Sequence, residues 1–161
     1  APEIASLSLG ARLAVTATTG TWAETPIGFA PLTCLSPLDR RAPDPVAVAE
    51  SLINTPYLWG GNSRAGLDCS GLVQLALHAA GHDCPGDSDL QMALGHGLAD
   101  DAPLHRGDLL FWKGHVAMVT GPDRLIHANG HTMSVAYEGI TACIARIAAA
   151  GGGPVTARRR L

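Results

Sequence analysis

The sequence predicts an α+β fold in which an amphipathic helix packs on a small antiparallel sheet. Apolar residues from Leu72 to Ala80 recur at three- and four-residue spacing, which predicts a helix over 69–80. Farther along the chain, apolar runs bounded by turn residues predict successive strands. These strands are expected near 108–112, 115–120, 124–128 and 133–137.

The first 40 residues have a different composition from the rest. Short runs rich in β-branched and aromatic residues predict strands over 10–15, 21–24 and 27–31. This segment is expected to end near Leu38, with a linker over 39–43.

Two further helices are predicted, over 45–54 and 88–95. Asp44 and Pro45 begin the first, since Asp is a favoured N-cap and Pro a favoured first helical residue. The segment 138–150 is ambiguous between helix and strand.

Cys69 stands between a glycine-rich loop and the start of the predicted helix over 69–80. The N–H groups of a first helical turn favour negative charge, so a thiolate would be stabilised there in its reactive form. The alternative is an inert cysteine, because free cysteines are among the most buried residues.

Two downstream histidines favour the reactive alternative. His115 opens one predicted strand and His127 lies in the next. A neutral imidazole beside a thiol can take its proton, and a polar group on the other ring nitrogen fixes the tautomer of that imidazole. We predict the first role for His115 and the second for His127.

The composition excludes several functions. The chain has 161 residues, of which 47% are apolar and 16% charged, and a net charge of −3, as in a soluble globular domain. Nucleic-acid binding is disfavoured, because it needs clustered Lys and Arg. The one cluster, over 158–160, is expected to be a solvated tail. No apolar run reaches the about 18 residues of a membrane span.

The cysteines are widely spaced and form no CxxC pair, which argues against a disulfide scaffold and a structural zinc site. One metal alternative stays open, a site gathered from Cys69, Cys84, His115 and His127, but we predict no metal and no cofactor. Residues 1–10 lack a basic and apolar leader, so a cytoplasmic location is expected.

Four motifs resemble those of the NlpC-type cell-wall cysteine peptidases, a papain-like group that cuts peptidoglycan stem peptides. The motifs, in family order, are Pro56-Tyr57-Leu58-Trp59-Gly60-Gly61, Asp68-Cys69-Ser70-Gly71-Leu72, Gly107-Asp108-Leu109 through His115-Val116-Ala117, and His127. The resemblance implies a papain-like peptidase domain over 44–161, preceded over 1–38 by a partial bacterial SH3-like module.

The resemblance also implies roles for individual residues. Cys69 would attack a peptide or isopeptide carbonyl, with His115 as base and then acid. The Cys69 N–H and the Tyr57 hydroxyl would stabilise the oxyanion. The substrate would be a murein peptide, bound in part by Trp59, Asp68 and Ser70. The alternative for Tyr57 is a packed side chain whose hydroxyl faces solvent.

A second match covers the loop from Cys84 to Gln91. It resembles a loop that holds the substrate's free amino terminus in family members acting on stem-peptide fragments, with Asp87 pairing with the ammonium and Ser88 beside it. Helix capping by Asp87 or Ser88 is the alternative. Related loops commonly carry arginine before the aspartate, whereas this chain has Gly86.

Three functions therefore stay open. The first is an endopeptidase acting on γ-D-glutamyl linkages of murein peptides. The second is a related thiol acyltransferase or amidase, and the third is a catalytically idle murein-binding module. The idle module is disfavoured because the chain has all four proposed catalytic residues, Tyr57, Cys69, His115 and His127.

Overall fold

The computed structural model describes residues 2–161, which divide into two compact units with a boundary between Arg41 and Ala42. The first unit carries an antiparallel sheet of strands β1 (Ala17–Thr19), β2 (Trp22–Thr25) and β3 (Gly28–Pro31). The strand predicted over 10–15 is wrong: those residues lie outside the strands, and β1 is defined by its hairpin with β2 around Gly20. An SH3-like architecture for this unit stays a prediction.

The second unit contains all four α-helices of the described residues. These are α1 (Pro45–Glu50), α2 (Cys69–Ala79), α3 (Ser88–Gln91) and α4 (Ile140–Ala149). None of the helices within residues 2–161 combines the length and apolarity that a bilayer crossing requires.

Its strands form a small hairpin and a larger sheet. The hairpin pairs β4 (Asn62–Ser63) with β5 (Gly66–Leu67). The larger sheet contains β6 (His96–Gly97), β7 (Leu109–Trp112), β8 (His115–Gly121), β9 (Arg124–Asn129), β10 (Ser134–Gly139) and β11 (Ala157–Arg160). Its order is β10-β9-β8-β7-β11-β6, and neighbouring strands are antiparallel. The predicted α+β fold with an antiparallel sheet is confirmed.

The arginine run is not a solvated tail, which corrects the expectation from charge alone. Arg159 pairs with Leu109 of β7 on one side and with Gly97 of β6 on the other. Arg160 donates two hydrogen bonds to the buried carboxylate of Asp108, at 2.8 and 2.6 Å. Backbone pairing on both sides and one buried counter-charge therefore hold this basic segment as a strand.

Two predicted helices end early, and the ambiguous segment is resolved. Helix α1 stops at Glu50 and gives way to turns that end at Asn54, whose φ of 65° is left-handed. Helix α3 stops at Gln91, four residues before the predicted end. The segment 138–150 contributes its first two residues to strand β10 and then forms helix α4.

The core lies on both faces of the large sheet. One cluster packs the apolar face of α2, including Leu72, Ala76 and Leu77, with Phe111 and Met118 of the sheet. A second cluster packs α4 through Ile140 and Cys143 against the opposite side. The sheet is therefore a rigid layer between helices, and the start of α2 is set against it.

Candidate active site

Asp68 connects the start of α2 to the loop over 56–61, here called the aromatic loop. Its Oδ1 accepts the Gly71 N–H at 2.7 Å, which is the N-cap bond of α2, and the Ser70 hydroxyl at 3.2 Å. Its Oδ2 accepts the Gly60 N–H from the aromatic loop at 2.9 Å. Both carboxylate oxygens thus hold the backbone around Cys69, while substrate binding by Asp68 and Ser70 stays a prediction.

Two glycines allow the aromatic loop to press against the helix. A Cβ at Gly71 would collide with the Gly61 carbonyl oxygen, and one at Gly61 would collide with the carbonyl oxygen of Gly66. The contacts are between backbones, which cannot move aside as a flexible side chain can. The backbone that carries Cys69 is therefore held by close backbone packing between α2, the aromatic loop and β5.

Cys69 is the first residue of α2 and is only 8% exposed. Burial raises the pKa of its thiol, and the opposing hydrogen bonds from the N–H groups of Val116, Ser70 and Cys69 do not cancel that effect. The expected stabilised thiolate is therefore not the form of the resting site. The Val116 contact places the sulfur at the start of β8, next to His115 in the chain.

His115 and His127 are brought together on neighbouring strands. His115 Nε2 lies 2.9 Å from His127 Nδ1, with the two rings edge to face. Burial, and to a smaller extent Arg146, lower the pKa of His115 to about 4, against the opposing effect of Glu138. No hydrogen bond joins the Cys69 sulfur to the His115 ring within residues 2–161, as is common in sites without substrate.

Glu138 and Arg146 complete a chain of polar groups behind the histidines. Glu138 Oε2 lies 3.1 Å from His127 Nε2, although the ring N–H is not well aligned with it. Arg146 forms a two-point ion pair with Glu138, at 2.8 and 2.7 Å. Ala136 pairs with His127 in the sheet. Glu138, two positions after Ala136 on β10, therefore points to the same face as His127. This strand register brings Glu138 to the site.

Tyr57 and Trp59 are the two aromatic residues of the aromatic loop, the first half-buried and the second exposed. Burial, and then the nearby Cys69 and Asp68, raise the pKa of the half-buried Tyr57 hydroxyl. This places the hydroxyl near the sulfur, as an oxyanion donor would require. Trp59 is 87% exposed, so its ring is open for contact.

The loop before α3 is fastened to α2 by Gln91, which the sequence pattern does not single out. Its buried amide Nε2 donates to the carbonyl oxygens of Ser70 and Pro85, at 3.0 and 2.9 Å. Asp87 is exposed and is the N-cap residue of α3, but its side chain makes no capping hydrogen bond. Ser88 is buried as the first residue of the helix.

Only one group of three metal-ligand side chains occurs within residues 2–161, and it is not the one considered from the sequence. It consists of His127, Glu138 and Cys143, whose ligand atoms lie within 4.8 Å of one another. The Arg146 guanidinium is 2.7 Å from Glu138 and 3.8 Å from the Cys143 sulfur. Because a fixed cation already stands against these ligands, the group does not suit a metal ion.

Known sequences match this chain over the segment that contains the site residues. A profile of the NlpC/P60 family matches residues 54–145. Dipeptidyl-peptidase 6 of Lysinibacillus sphaericus is 38% identical over 84 residues, 52% of this chain and 31% of that protein. The gamma-D-glutamyl-L-lysine dipeptidyl-peptidase of Bacillus cereus is 37% identical over 106 residues, 56% of this chain and 32% of that protein. The chain spans about a third of the length of these relatives.

Solved structures share the fold. An NlpC/P60 family protein from Bacillus cereus matches with a TM-score of 0.78 at 24% identity, over 96% of this chain and 55% of that one. The NlpC/p60 domain of the peptidoglycan hydrolase SagA matches with a TM-score of 0.60 at 30% identity, over 73% and 96%. The predicted papain-like fold is thereby confirmed. Because the family profile covers more than half of the chain, this protein belongs to the NlpC/P60 family.

Proposed function

We propose that this chain is a cysteine endopeptidase that hydrolyses γ-D-glutamyl–diamino acid bonds of peptidoglycan stem peptides. The observation that carries the proposal is the His115–His127 pair, 2.9 Å apart, on neighbouring strands β8 and β9, together with the hydrogen bond from the Val116 N–H of β8 to the buried sulfur of Cys69. The names of the relatives support the bond type, since one is a gamma-D-glutamyl-L-lysine dipeptidyl-peptidase.

Acylation begins from a neutral thiol and a neutral imidazole. The Cys69 sulfur attacks the carbonyl carbon while its proton passes to His115 Nδ1, the ring nitrogen not engaged by His127. The tetrahedral oxyanion accepts hydrogen bonds from the Cys69 N–H and the Tyr57 hydroxyl. Collapse breaks the C–N bond, and His115 returns its proton to the departing amine.

Deacylation uses the same groups in reverse. His115 takes a proton from a water molecule, whose oxygen attacks the thioester carbon. The C–S bond then breaks, the thiol is restored, and the acyl part leaves as a carboxylic acid. A full cycle consumes one peptide bond and one water.

Cys69→Ala tests the chemistry directly. It removes the nucleophile and little buried volume, so turnover of a defined stem peptide should fall at least about 10³-fold with an unchanged fold. The matched control is Cys34→Ala, which removes an exposed free cysteine of the other unit and should leave turnover unchanged. If Cys69→Ala kept half of the activity, a thiol mechanism would be rejected.

Product analysis separates hydrolysis from acyl transfer. Mass spectrometry of a reaction in H₂¹⁸O should find one ¹⁸O in the new carboxyl group. The other product should be the diamino acid part with its amino group free. Products acylated on an added amine, without ¹⁸O, would instead support the acyltransferase alternative.

The preferred substrate is proposed to be a free fragment whose amino terminus pairs with Asp87. An exposed carboxylate without a capping bond, held near α2 by Gln91, supports this role. A charged hydrogen bond contributes about 1.5–3 kcal/mol, or roughly ten- to a hundredfold in preference for free over acetylated peptides.

Asp87→Asn should therefore lower the ratio between the cleavage rates of peptides with a free amino terminus and peptides with an acetylated one. The matched control is Asp89→Asn, which removes an exposed carboxylate two residues farther along α3 and should leave the ratio as it is. An unchanged ratio in Asp87→Asn would reject recognition of the amino terminus and leave the thiol chemistry untouched.

A further inference from the structure

We propose that Glu138, held by Arg146, is a positioning residue that sets the tautomers of both site histidines. The inference rests on the proposed function, since it assigns His115 as the base for Cys69. It concerns two residues that neither the family motifs nor the sequence pattern singled out.

The carboxylate of Glu138 is surrounded by donors. Arg146 donates from Nε and Nη2, at 2.8 and 2.7 Å, and the thiol of the fully buried Cys143 lies within 4.8 Å of the carboxylate. The remaining close group is His127 Nε2, at 3.1 Å. A carboxylate only accepts hydrogen bonds, so the adjacent ring nitrogen is favoured as N–H.

Protonation at His127 Nε2 determines the rest of the chain. A neutral His127 with its proton on Nε2 has a lone pair on Nδ1, which accepts a hydrogen bond from His115 Nε2–H, 2.9 Å away. His115 then has its own lone pair on Nδ1. The carboxylate therefore selects, through two rings, the one neutral form of His115 that can take the Cys69 proton.

Arg146 keeps the carboxylate ionised and fixed in orientation. Its hydrogen bonds lower the pKa of Glu138 to about 2, so the charge persists at any pH at which the histidines are neutral. The two-point geometry also limits rotation of the carboxylate. Glu138 therefore presents an acceptor to His127 rather than exchanging a proton with it.

Glu138→Gln is the first test, with Glu50→Gln as the matched control. Glu50 also pairs with an arginine, Arg106, at 2.7 Å, but it lies on α1 and does not contact either histidine. Glu138→Gln can still accept through oxygen but can equally present its NH₂ group, so tautomer selection is lost. We expect kcat to fall roughly 10- to 100-fold, the scale of carboxylates that orient a histidine, with KM little changed. Glu50→Gln should change neither constant.

A double-mutant cycle separates positioning from a purely structural role. If Glu138 acts through His127, Glu138→Gln should have little further effect on kcat in a His127→Ala background. Arg146→Lys keeps a cation but loses the two-point bond, so it should give a smaller kcat loss than Glu138→Gln. Thermal melts on each variant show whether the fold is retained.

A substrate-independent readout keeps this inference separate from the proposed function. In a Cys34→Ala background, the rate of Cys69 alkylation by iodoacetamide at pH 7 should fall with Glu138→Gln by a factor similar to that of kcat. An equal loss of kcat in the wild-type and His127→Ala backgrounds, or an unchanged alkylation rate, would overturn the positioning role. Failure of the wild-type protein to cleave stem peptides, with the alkylation effect present, would reject only the proposed substrate.

Discussion

His127 is buried and His115 half-buried, and both imidazoles stay neutral where a free histidine would begin to gain charge. Burial is the main cause, since it lowers the pKa of His115 to about 4. The same burial raises the pKa of the Cys69 thiol. In the proposed mechanism, proton transfer from sulfur to nitrogen therefore accompanies attack on the carbonyl, and the residues that orient the rings become decisive.

Substitutions of His127 test its orienting role. An Asn or Gln side chain can still accept the His115 N–H through its amide oxygen, whereas Ala leaves His115 free to adopt the unproductive tautomer. We expect kcat/KM to fall less in His127→Asn or His127→Gln than in His127→Ala. Steady-state kinetics on a stem peptide, with circular dichroism as the control for folding, would detect the order. Equal losses in all three folded variants would remove His127 from this role.

Each of the proposed reactive residues stands beside a local signal in the sequence. Cys69 follows a glycine-rich loop and begins a periodic helix, while His115 and His127 lie in apolar strands. Glu138 and Arg146 have no such signal. They meet only because β10 pairs with β9 in one register and α4 turns back immediately afterwards. Side chains brought together by pairing between segments cannot be found from local pattern alone.

Strand β11 is held by backbone pairing with β7 and β6 and by one buried counter-charge. Its Arg160 pairs with Asp108, whose carboxylate is 1% exposed and also accepts the His105 N–H at 2.8 Å. Burial alone would raise the pKa of Asp108, but Arg160 and the His105 N–H bring it below its ordinary value. The carboxylate is thus charged and depends on its partner.

Arg160→Ala should lower the free energy of unfolding because it leaves a buried charge without its counter-ion. The control is Arg158→Ala, whose only ion pair within residues 2–161 is a 3.9 Å contact with the exposed Asp100 and which should cost less. Adding Asp108→Asn to Arg160→Ala should recover part of the loss, since a neutral amide is cheaper to bury. Urea denaturation midpoints measure all three. Equal midpoints for the two arginine variants would show that Arg160 is not the anchor of β11.

At this scale, prediction succeeded where apolar periodicity is strong. Helix α2 ends one residue before its predicted end, and strands β7 to β10 lie where the hairpin pattern put them. Strand β11 was missed because three consecutive arginines have no apolar face. Its structure is decided by pairing with β7, a strand about 45 residues earlier in the chain.

For the molecule as a whole, the two neutral histidines make the free energy of unfolding depend on pH. Their pKa values are near 6.5 in an unfolded chain and are lowered in the folded one, to about 4 for His115. As pH falls below 6.5, the unfolded state binds protons first, so stability is full above this pH. It is then lost progressively down to the folded pKa values.

The free energy of unfolding should therefore decline between pH 6.5 and about 4, by up to about 1.4 kcal/mol per pH unit for each histidine. His115→Asn removes one of the two groups. Its free energy of unfolding should therefore fall less steeply with decreasing pH, by a slope that corresponds to about one proton. Urea titrations at several pH values across this window give both slopes. Parallel slopes for the wild type and the variant would contradict the assignment of His115 as a half-buried, neutral group.

The aromatic loop is joined to α2 by a backbone clamp, made of the Asp68 hydrogen bonds and the Gly61–Gly71 contact, that does not involve the side chains at the tip of the loop. Asp68 and the close packing of Gly61 and Gly71 hold the thiol, while the side chains at the tip of the loop, Leu58 and Trp59, are 56% and 87% exposed. Replacing the tip residues leaves the clamp intact. We therefore expect these two exposed positions to tolerate exchange, by selection or by engineering, without disturbing the backbone around Cys69.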